Sequence, residues 1–252
     1  MRKLPGIIVV LMLLLVGCGG KKTLADYDLS FDSIVVDTVV ALNKNANSPK
    51  CIIHLNLKTI IGPNSEMIND SVLRGGVLPA DYLSLTNEKI APRTAVDSFI
   101  KRYITDYRTF YGKVYEEEPT EGTATLSYSV DTEIRIEKDG IVNYIAHITN
   151  KAGAEETVFT LVLNIDAETG QTIHLWNLYD AEELDELGKD LARQLAKDLS
   201  LSDTIALREQ GYFVHTDFYA PENYLISDEG VTFIYVPGEI TVREKGEVRI
   251  TK

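Results

Sequence analysis

The sequence predicts an α+β fold, with antiparallel sheets, interspersed helices and two small domains. Three observations carry that expectation. Several segments alternate apolar and polar residues between Gly-containing turns, as half-buried antiparallel strands do. Two long segments instead repeat apolar residues at three- and four-residue steps, the helical period. The 252-residue chain, 44% hydrophobic and 25% charged, has ordinary globular composition and length for two small cores.

The N-terminus comes first. Met1-Arg2-Lys3 is a short basic start, followed by ten apolar residues from Ile7 to Val16. A membrane-spanning helix needs about 20, so this run has the dimensions of a secretory leader. It ends Leu15-Val16-Gly17-Cys18, which resembles the lipobox of bacterial lipoproteins. The resemblance implies a leader over 1–17, acylation of Cys18 and attachment to a membrane through that lipid. Each buried CH₂ of such an anchor contributes about 0.8 kcal/mol. An ordinary leader with a chance cysteine is the alternative. Residues 18–25 read as a tether, with Gly19 and Gly20 flexible and Lys21 and Lys22 suited to anionic headgroups. Two lysines at this point favour the periplasmic side over the cell surface, and both stay open.

The first domain is expected over 26–148. Ser33–Leu42 and Lys50–Ile61 read as strands. In the second, Cys51, Ile53, Leu55 and Leu57 share one face, which makes Cys51 a buried structural thiol. A short helix follows around Met67 to Leu73, ended by Gly75-Gly76. Ala91–Tyr111 is a long helix with Pro92 in its first turn and Gly112 as its stop. Its stripe of Tyr103, Tyr107 and Tyr111 packs on a sheet or, alternatively, stacks sugars. Thr125–Glu137 alternates as a strand, Asp139-Gly140 turns the chain, and Val142 to Ile148 returns.

The second domain is expected over 149–252. Phe159 to Ile165 marks a strand. Thr169-Gly170 turns into another, containing Ile173 and Leu175, and Trp176 packs at the junction that follows. Asp180 and Glu183 make a capping box for a helix whose buried face is Leu184, Leu187, Leu191, Leu195 and Leu199. Ser202–Glu209 adds a helical turn or two. Gly211–Tyr219, Tyr224–Ile226, Val231–Val236 and Glu239–Ile250 read as short strands.

Charge and motifs narrow the function. Lys+Arg number 25 against 38 Asp+Glu, so no nucleic-acid footprint exists. Without Arg2 and Lys3 the mature chain stands near −15. The four histidines, His54, His147, His174 and His215, show no metal-binding spacing and fall in expected strands. Asp166 to Gly170 begins like a calcium loop but has Asn177 where the distal Glu belongs. No P-loop, no dinucleotide-binding glycine motif and no nucleophile elbow occurs. No catalytic residue, metal or cofactor is expected. The acidic stretch Glu116, Glu117, Glu118 and Glu121 is the candidate surface for a basic partner.

The C-terminal third carries a further resemblance. Leu161-Val162-Leu163-Asn164-Ile165-Asp166, Thr169-Gly170 and Leu175-Trp176-Asn177-Leu178-Tyr179 precede the Leu-rich helix. Phe218-Tyr219, Tyr224-Leu225-Ile226, Gly230 to Tyr235 and Glu239-Ile240 follow it. Together they resemble the extracytoplasmic C-terminal domain of RsiV- and PdaC-type proteins, and the part before it is similar to the domain that usually precedes it. The resemblance implies an α+β envelope module. Its RsiV-like members bind lysozyme, and its PdaC-like members carry a peptidoglycan deacetylase. With 17 residues before Cys18, no cytoplasmic sigma-binding domain is expected, and no deacetylase metal motif is present. The family's Asn-Pro-Tyr-Glu-Ile-Ala-Pro-Tyr is Val236-Pro237-Gly238-Glu239-Ile240-Thr241-Val242-Arg243 here, without either tyrosine.

The leading expectation is a non-enzymatic, lipid-anchored envelope module. Its ligand is peptidoglycan or another glycan, or a wall-active protein such as lysozyme. A wall hydrolase using paired carboxylates and a structural part of an envelope complex are the alternatives.

Overall fold

The computed structural model describes residues 22–45, 47–83, 88–117, 124–138 and 140–252. The expected α+β architecture is present as two sheets with interspersed helices. The first sheet has the order β1 (Ser30–Ala41), β2 (Lys50–Ile61), β3 (Leu126–Lys138), β4 (Ile141–Ala152) and β5 (Glu155–Asp166). Neighbours are antiparallel except β2 and β3, which run parallel. Alternation does not distinguish those two cases. A parallel pair needs a long crossover, and α1 (Ser65–Arg74), α2 (Pro92–Asp106) and α3 (Gly112–Glu117) supply it.

The inward face of β2 is the one its alternation predicts. Cys51, Ile53, Leu55 and Leu57 are all buried, and they join Ile68 and Val72 of α1 and Val96 and Phe99 of α2 in one apolar cluster. Tyr103 and Tyr107 are buried in it too. The Tyr103 ring lies 5.3 Å from Phe99 and 5.8 Å from Tyr128, so this stripe is core packing. The long helix does not end at Gly112. A π turn over Tyr107–Tyr111 carries it into α3. Gly112 keeps a helical φ of −57°, so its conformational freedom goes unused.

The second sheet has the order β6 (Tyr224–Ser227), β7 (Gly230–Tyr235) and β8 (Val248–Thr251), all antiparallel. The short α4 (Leu175–Leu178), the long α5 (Ala181–Asp198) and α6 (Thr204–Glu209) precede it. Asp180 and Glu183 form the expected capping box: Asp180 Oδ1 accepts from the Glu182 and Glu183 amides at 2.9 Å. Leu187, Leu191 and Leu195 are buried against Tyr224, Phe233 and Ile250, whereas Leu199 is exposed at the end of the helix. Gly188 is needed for that packing, because a Cβ there would lie 2.5 Å from the Tyr219 Cα.

Several expected strands take other forms. The one containing Ile173 and Leu175 is reduced to a single bridge, Ile165 to Thr172, before α4 begins. The edge it would occupy on β5 is taken by side chains described below. Gly211–Tyr219 is irregular, with Phe213 at φ 52° and its amide bonded to the Ile240 carbonyl at 2.6 Å. Glu239–Ile250 forms a strand only at its end, because Gly246 at φ 75° and the 3₁₀ turn Arg243–Lys245 break it. The domain boundary expected at 148/149 falls inside β4. β4 pairs along its length with both neighbours, so the meander stays in the first unit. The cores divide between Ala167 and Leu175.

The two units meet edge to edge, through asparagine side chains. Asn143 of β4 and Asn164 of β5 face each other in register and are both buried. Asn164 Oδ1 accepts from the Ile226 amide at 3.1 Å, and its Nδ2 donates to the Tyr224 carbonyl at 2.6 Å. Asn143 Nδ2 donates to Asn164 Oδ1 at 2.9 Å and to the Ile226 carbonyl at 3.2 Å. In the other direction, Asn223 Oδ1 accepts from the Val162 amide at 2.8 Å and its Nδ2 donates to the Thr160 carbonyl at 2.8 Å. Glu247 takes the Thr160 amide at 2.6 Å. Each unit closes the open strand edge of the other. Ile145, Val162 and Ile234 form a small apolar cluster beside this joint.

Replacing Asn164 by Leu leaves the Ile226 amide and the Tyr224 carbonyl buried without partners. The expected loss is about 3 kcal/mol, since each such orphan costs about 1–3 kcal/mol; Asn223→Ala, where water reaches the edge, loses about 1 kcal/mol. Urea unfolding midpoints measure both, and a change below ~0.5 kcal/mol for Asn164→Leu refutes the role assigned to it. A second expectation concerns Cys51, whose burial pushes its thiol up to about 11. Too little thiolate forms for attack. Peptide mapping after a water-soluble disulfide reagent is expected to find Cys51 unmodified in the folded chain and fully modified in urea.

Candidate functional site

The sequence-predicted candidates do not converge on one place. Cys18 lies outside the described residues, as do Glu118 and Glu121. Glu116 is exposed on α3, and the Glu117 side chain is outside the described set. The histidines are dispersed. His54 on β2 bonds Asp37 at 2.6 Å, and that hydrogen bond raises its pKa above 6.5. His147 on β4 stands 3.4 Å from Glu133. His215 lies outside any strand and is exposed, and His174 precedes α4 rather than standing in a strand. Among the described residues no group of His, Cys, Asp and Glu is arranged to hold a metal. Asp166 Oδ1 accepts from the Glu168 and Thr169 amides at 3.0 and 2.7 Å, which makes that acidic segment a turn.

A cleft of about 710 Å³ opens between the two units, within the size range of small-ligand sites. The outer edge of β5, from Leu161 to Asn164, forms its floor. Asp70, Ser71 and Arg74 of α1 make one wall. The segment Gln171–His174 with Trp176 and Asn177 of α4 makes a second, and Pro221, Glu222, Asn223 and Glu239 make the third. The cleft is a consequence of the asparagine joint. The strand that would have filled the β5 edge shrinks to one bridge, and the remaining space is left open.

Trp176 sits on its rim with 59% of its surface exposed. Its sequence reading as a junction packing residue is therefore overturned. The four-residue α4 buries Leu175 and turns the next side chain outward. The indole is not loose. The His174 ring lies flat on it, with centroids 3.9 Å apart and planes 8° from parallel. His174 Nδ1 faces Glu222 Oε2 at 3.2 Å. A carboxylate only accepts, so Nδ1 carries a proton. Glu222 Oε2 also accepts the Leu175 amide at 3.3 Å, which ties the start of α4 to the segment leading into β6.

Each carboxylate around the cleft has at least one partner, although Asp70 Oδ1 is buried without one. Asp70 Oδ2 pairs with Arg74 Nε at 2.8 Å. Glu239 Oε1 accepts from the Tyr219 hydroxyl and its Oε2 from the Val236 amide, both at 2.7 Å. Glu239 thereby fixes the turn after β7, and burial plus this carboxylate raise the Tyr219 phenol well above its ordinary value. The cleft thus offers a flat aromatic plate, several amides and one unpartnered carboxylate oxygen, Asp70 Oδ1.

No family model matches the sequence, and no curated protein sequence matches it. Solved structures share its fold, two DUF3298 crystal structures among them. A member of the DUF3298 family from Bacteroides fragilis superposes with a TM-score of 0.73 at 21% identity, over 89% of this chain and 90% of that one. A DUF3298 family protein from Pseudomonas aeruginosa gives 0.51 at 13% identity, over 88% of this chain and 89% of that one. The likeness extends through both units and, at these identities, it is a likeness of fold.

Proposed function

We propose that the chain is a lipid-anchored envelope protein whose folded body binds a glycan, of the peptidoglycan class, in the cleft between its units. One observation carries the reading. Trp176 is exposed and flat at the mouth of a cleft of ligand size, backed by His174 and Glu222. A pyranose ring presents a face of C–H groups that packs on such a plate, while its hydroxyls seek polar partners. Gln171 and Asn177 line the same wall with amide groups. Stacking of this kind selects for sugars without demanding a charged ligand, which suits an acidic chain. The lipobox resemblance at Cys18 supports a body outside the cytosol, where such glycans are met. A glycosidase works with two carboxyl groups roughly 5–10 Å apart; here Arg74 pairs with Asp70, and Tyr219 and the Val236 amide hold Glu239, which supports binding over hydrolysis. The net charge of −13 supports a second ligand class, a basic wall-active protein, whose association weakens as salt rises.

Trp176 is the sole tryptophan, so tryptophan emission, excited on the red edge where the tyrosines do not absorb, reports on the cleft alone. Titration with soluble peptidoglycan fragments is expected to shift its emission and to saturate. Trp176→Ala weakens retention on insoluble peptidoglycan about tenfold, the equivalent of about 1.4 kcal/mol for one aromatic contact. No retention on peptidoglycan at low salt, with no change in emission, overturns the glycan reading. Retention of lysozyme instead, lost as salt is raised, supports the protein-ligand reading.

A further inference from the structure

The outer edge of β1 is a second, independent feature. No described residue forms a ladder on it. Strand edges of this kind are normally blunted by Lys, Pro, bulges or short length. β1 runs twelve residues, Ser-Phe-Asp-Ser-Ile-Val-Val-Asp-Thr-Val-Val-Ala, with no Lys, Arg, Pro or Gly. It pairs with β2 without a register shift. On its open face Phe31, Val35 and Val39 are 51%, 56% and 62% exposed.

We infer that β1 pairs antiparallel with β1 of a second copy of this chain, about a two-fold axis at Val35, joining two five-stranded sheets into one.

The pattern is self-complementary in that register alone. With the axis at Val35, Val35 faces Val35, Phe31 faces Val39 and Ser33 faces Asp37. Every exposed apolar residue meets another. An axis at Val36 sets Val35 against Asp37 and Val39 against Ser33. An axis at Asp37 sets two carboxylates face to face, which is destabilising. Backbone geometry agrees with the Val35 axis. The Ser33 amide donates to its neighbour Asp32 Oδ1 at 2.7 Å, so it points away from β2. Residues two apart on a strand share that direction, and the amides of Val35, Asp37 and Val39 therefore face the open edge too.

Charge agrees as well. Lys58 lies beside Ser33 in the β1–β2 register, and its Nζ donates to Ser33 Oγ at 2.8 Å while standing 5.3 Å from the Phe31 ring centroid. Among the described residues it has no carboxylate partner. The Val35 register brings Asp37 of the second copy, whose Oδ1 is bonded to its own His54, to the far side of Ser33, where its second oxygen faces that ammonium, and does so twice by symmetry. A two-fold contact of this type is closed, so it ends at a dimer rather than growing into a fibre.

Cross-linking reads the register directly. In an antiparallel hydrogen-bonded pair the facing Cα atoms are about 5.5 Å apart, within disulfide range. Full-length Val35→Cys, solubilised in mild detergent and oxidised gently, is expected to give at least fivefold more covalent dimer than the unsubstituted chain. Asp37→Cys, four residues out of register with its own copy, is expected to match the unsubstituted chain. In sedimentation, Val35→Lys raises the dimer dissociation constant at least tenfold while its circular dichroism stays unchanged. Absence of the Val35→Cys dimer, equal cross-linking at positions 35 and 37, or a Val35→Lys dimer as tight as the original overturns the proposal.

Discussion

Unsatisfied strand edges govern this structure. β5 ends one sheet and β6 ends another, and each leaves backbone donors and acceptors that must be paired once water is excluded. Another strand would be the usual answer. Here the answer is an amide side chain, which carries one acceptor and a pair of donors, as a stretch of backbone does. Asn164 serves β6 and Asn223 serves β5, so the exchange is reciprocal and neither unit has a finished surface without the other. Asn143 completes it by holding Asn164 in the one orientation that satisfies all partners.

The cleft follows from the same exchange. Side chains occupy the β5 edge over Thr160 to Asn164, and the returning chain meets that edge over Gln171–Ile173 before turning into α4, the Asp166 amide donating to the Gln171 carbonyl and the Ile173 amide to the Asn164 carbonyl. A helix of four residues cannot bury all its side chains. Leu175 takes the core, and Trp176 is displayed on the rim, where His174 and Glu222 hold it flat. Its support is local: His174 bonds Glu222, which also accepts the Leu175 amide and stands next to Asn223 of the joint.

Much of the fold is legible in the chain. The period-two run Lys50–Ile61 gives β2 to the residue, and Thr125–Glu137 gives β3 within one. Asp180 and Glu183 mark the start of α5 because an N-cap and its reciprocal partner are local in sequence. What is not legible is non-local. Asn143 and Asn164 read as polar residues on an outward face, and only the arrival of β6 buries them. Gly112 looks like a helix stop because glycine permits a left-handed turn, yet permission is not requirement. Trp176 looks like packing because tryptophan is usually buried, and nothing nearby in sequence reveals that Leu175 has taken the available space. The signal was the shortness of the apolar stretch before Asp180, too brief to bury two large side chains in succession.

The parallel pairing of β2 with β3 has a consequence for how the chain assembles. The β1–β2 hairpin and the β3–β4–β5 meander each join strands adjacent in sequence, and such contacts close quickly. The seam between them joins segments separated by the whole helical crossover, so the entropy of closing that long loop is lost before the seam returns any energy. α2 lies in that crossover and packs on both strands of the seam: Phe99 and Tyr103 contact Tyr128 of β3 and share a core with Ile53 and Leu55 of β2, so their burial offsets the entropy of closing it.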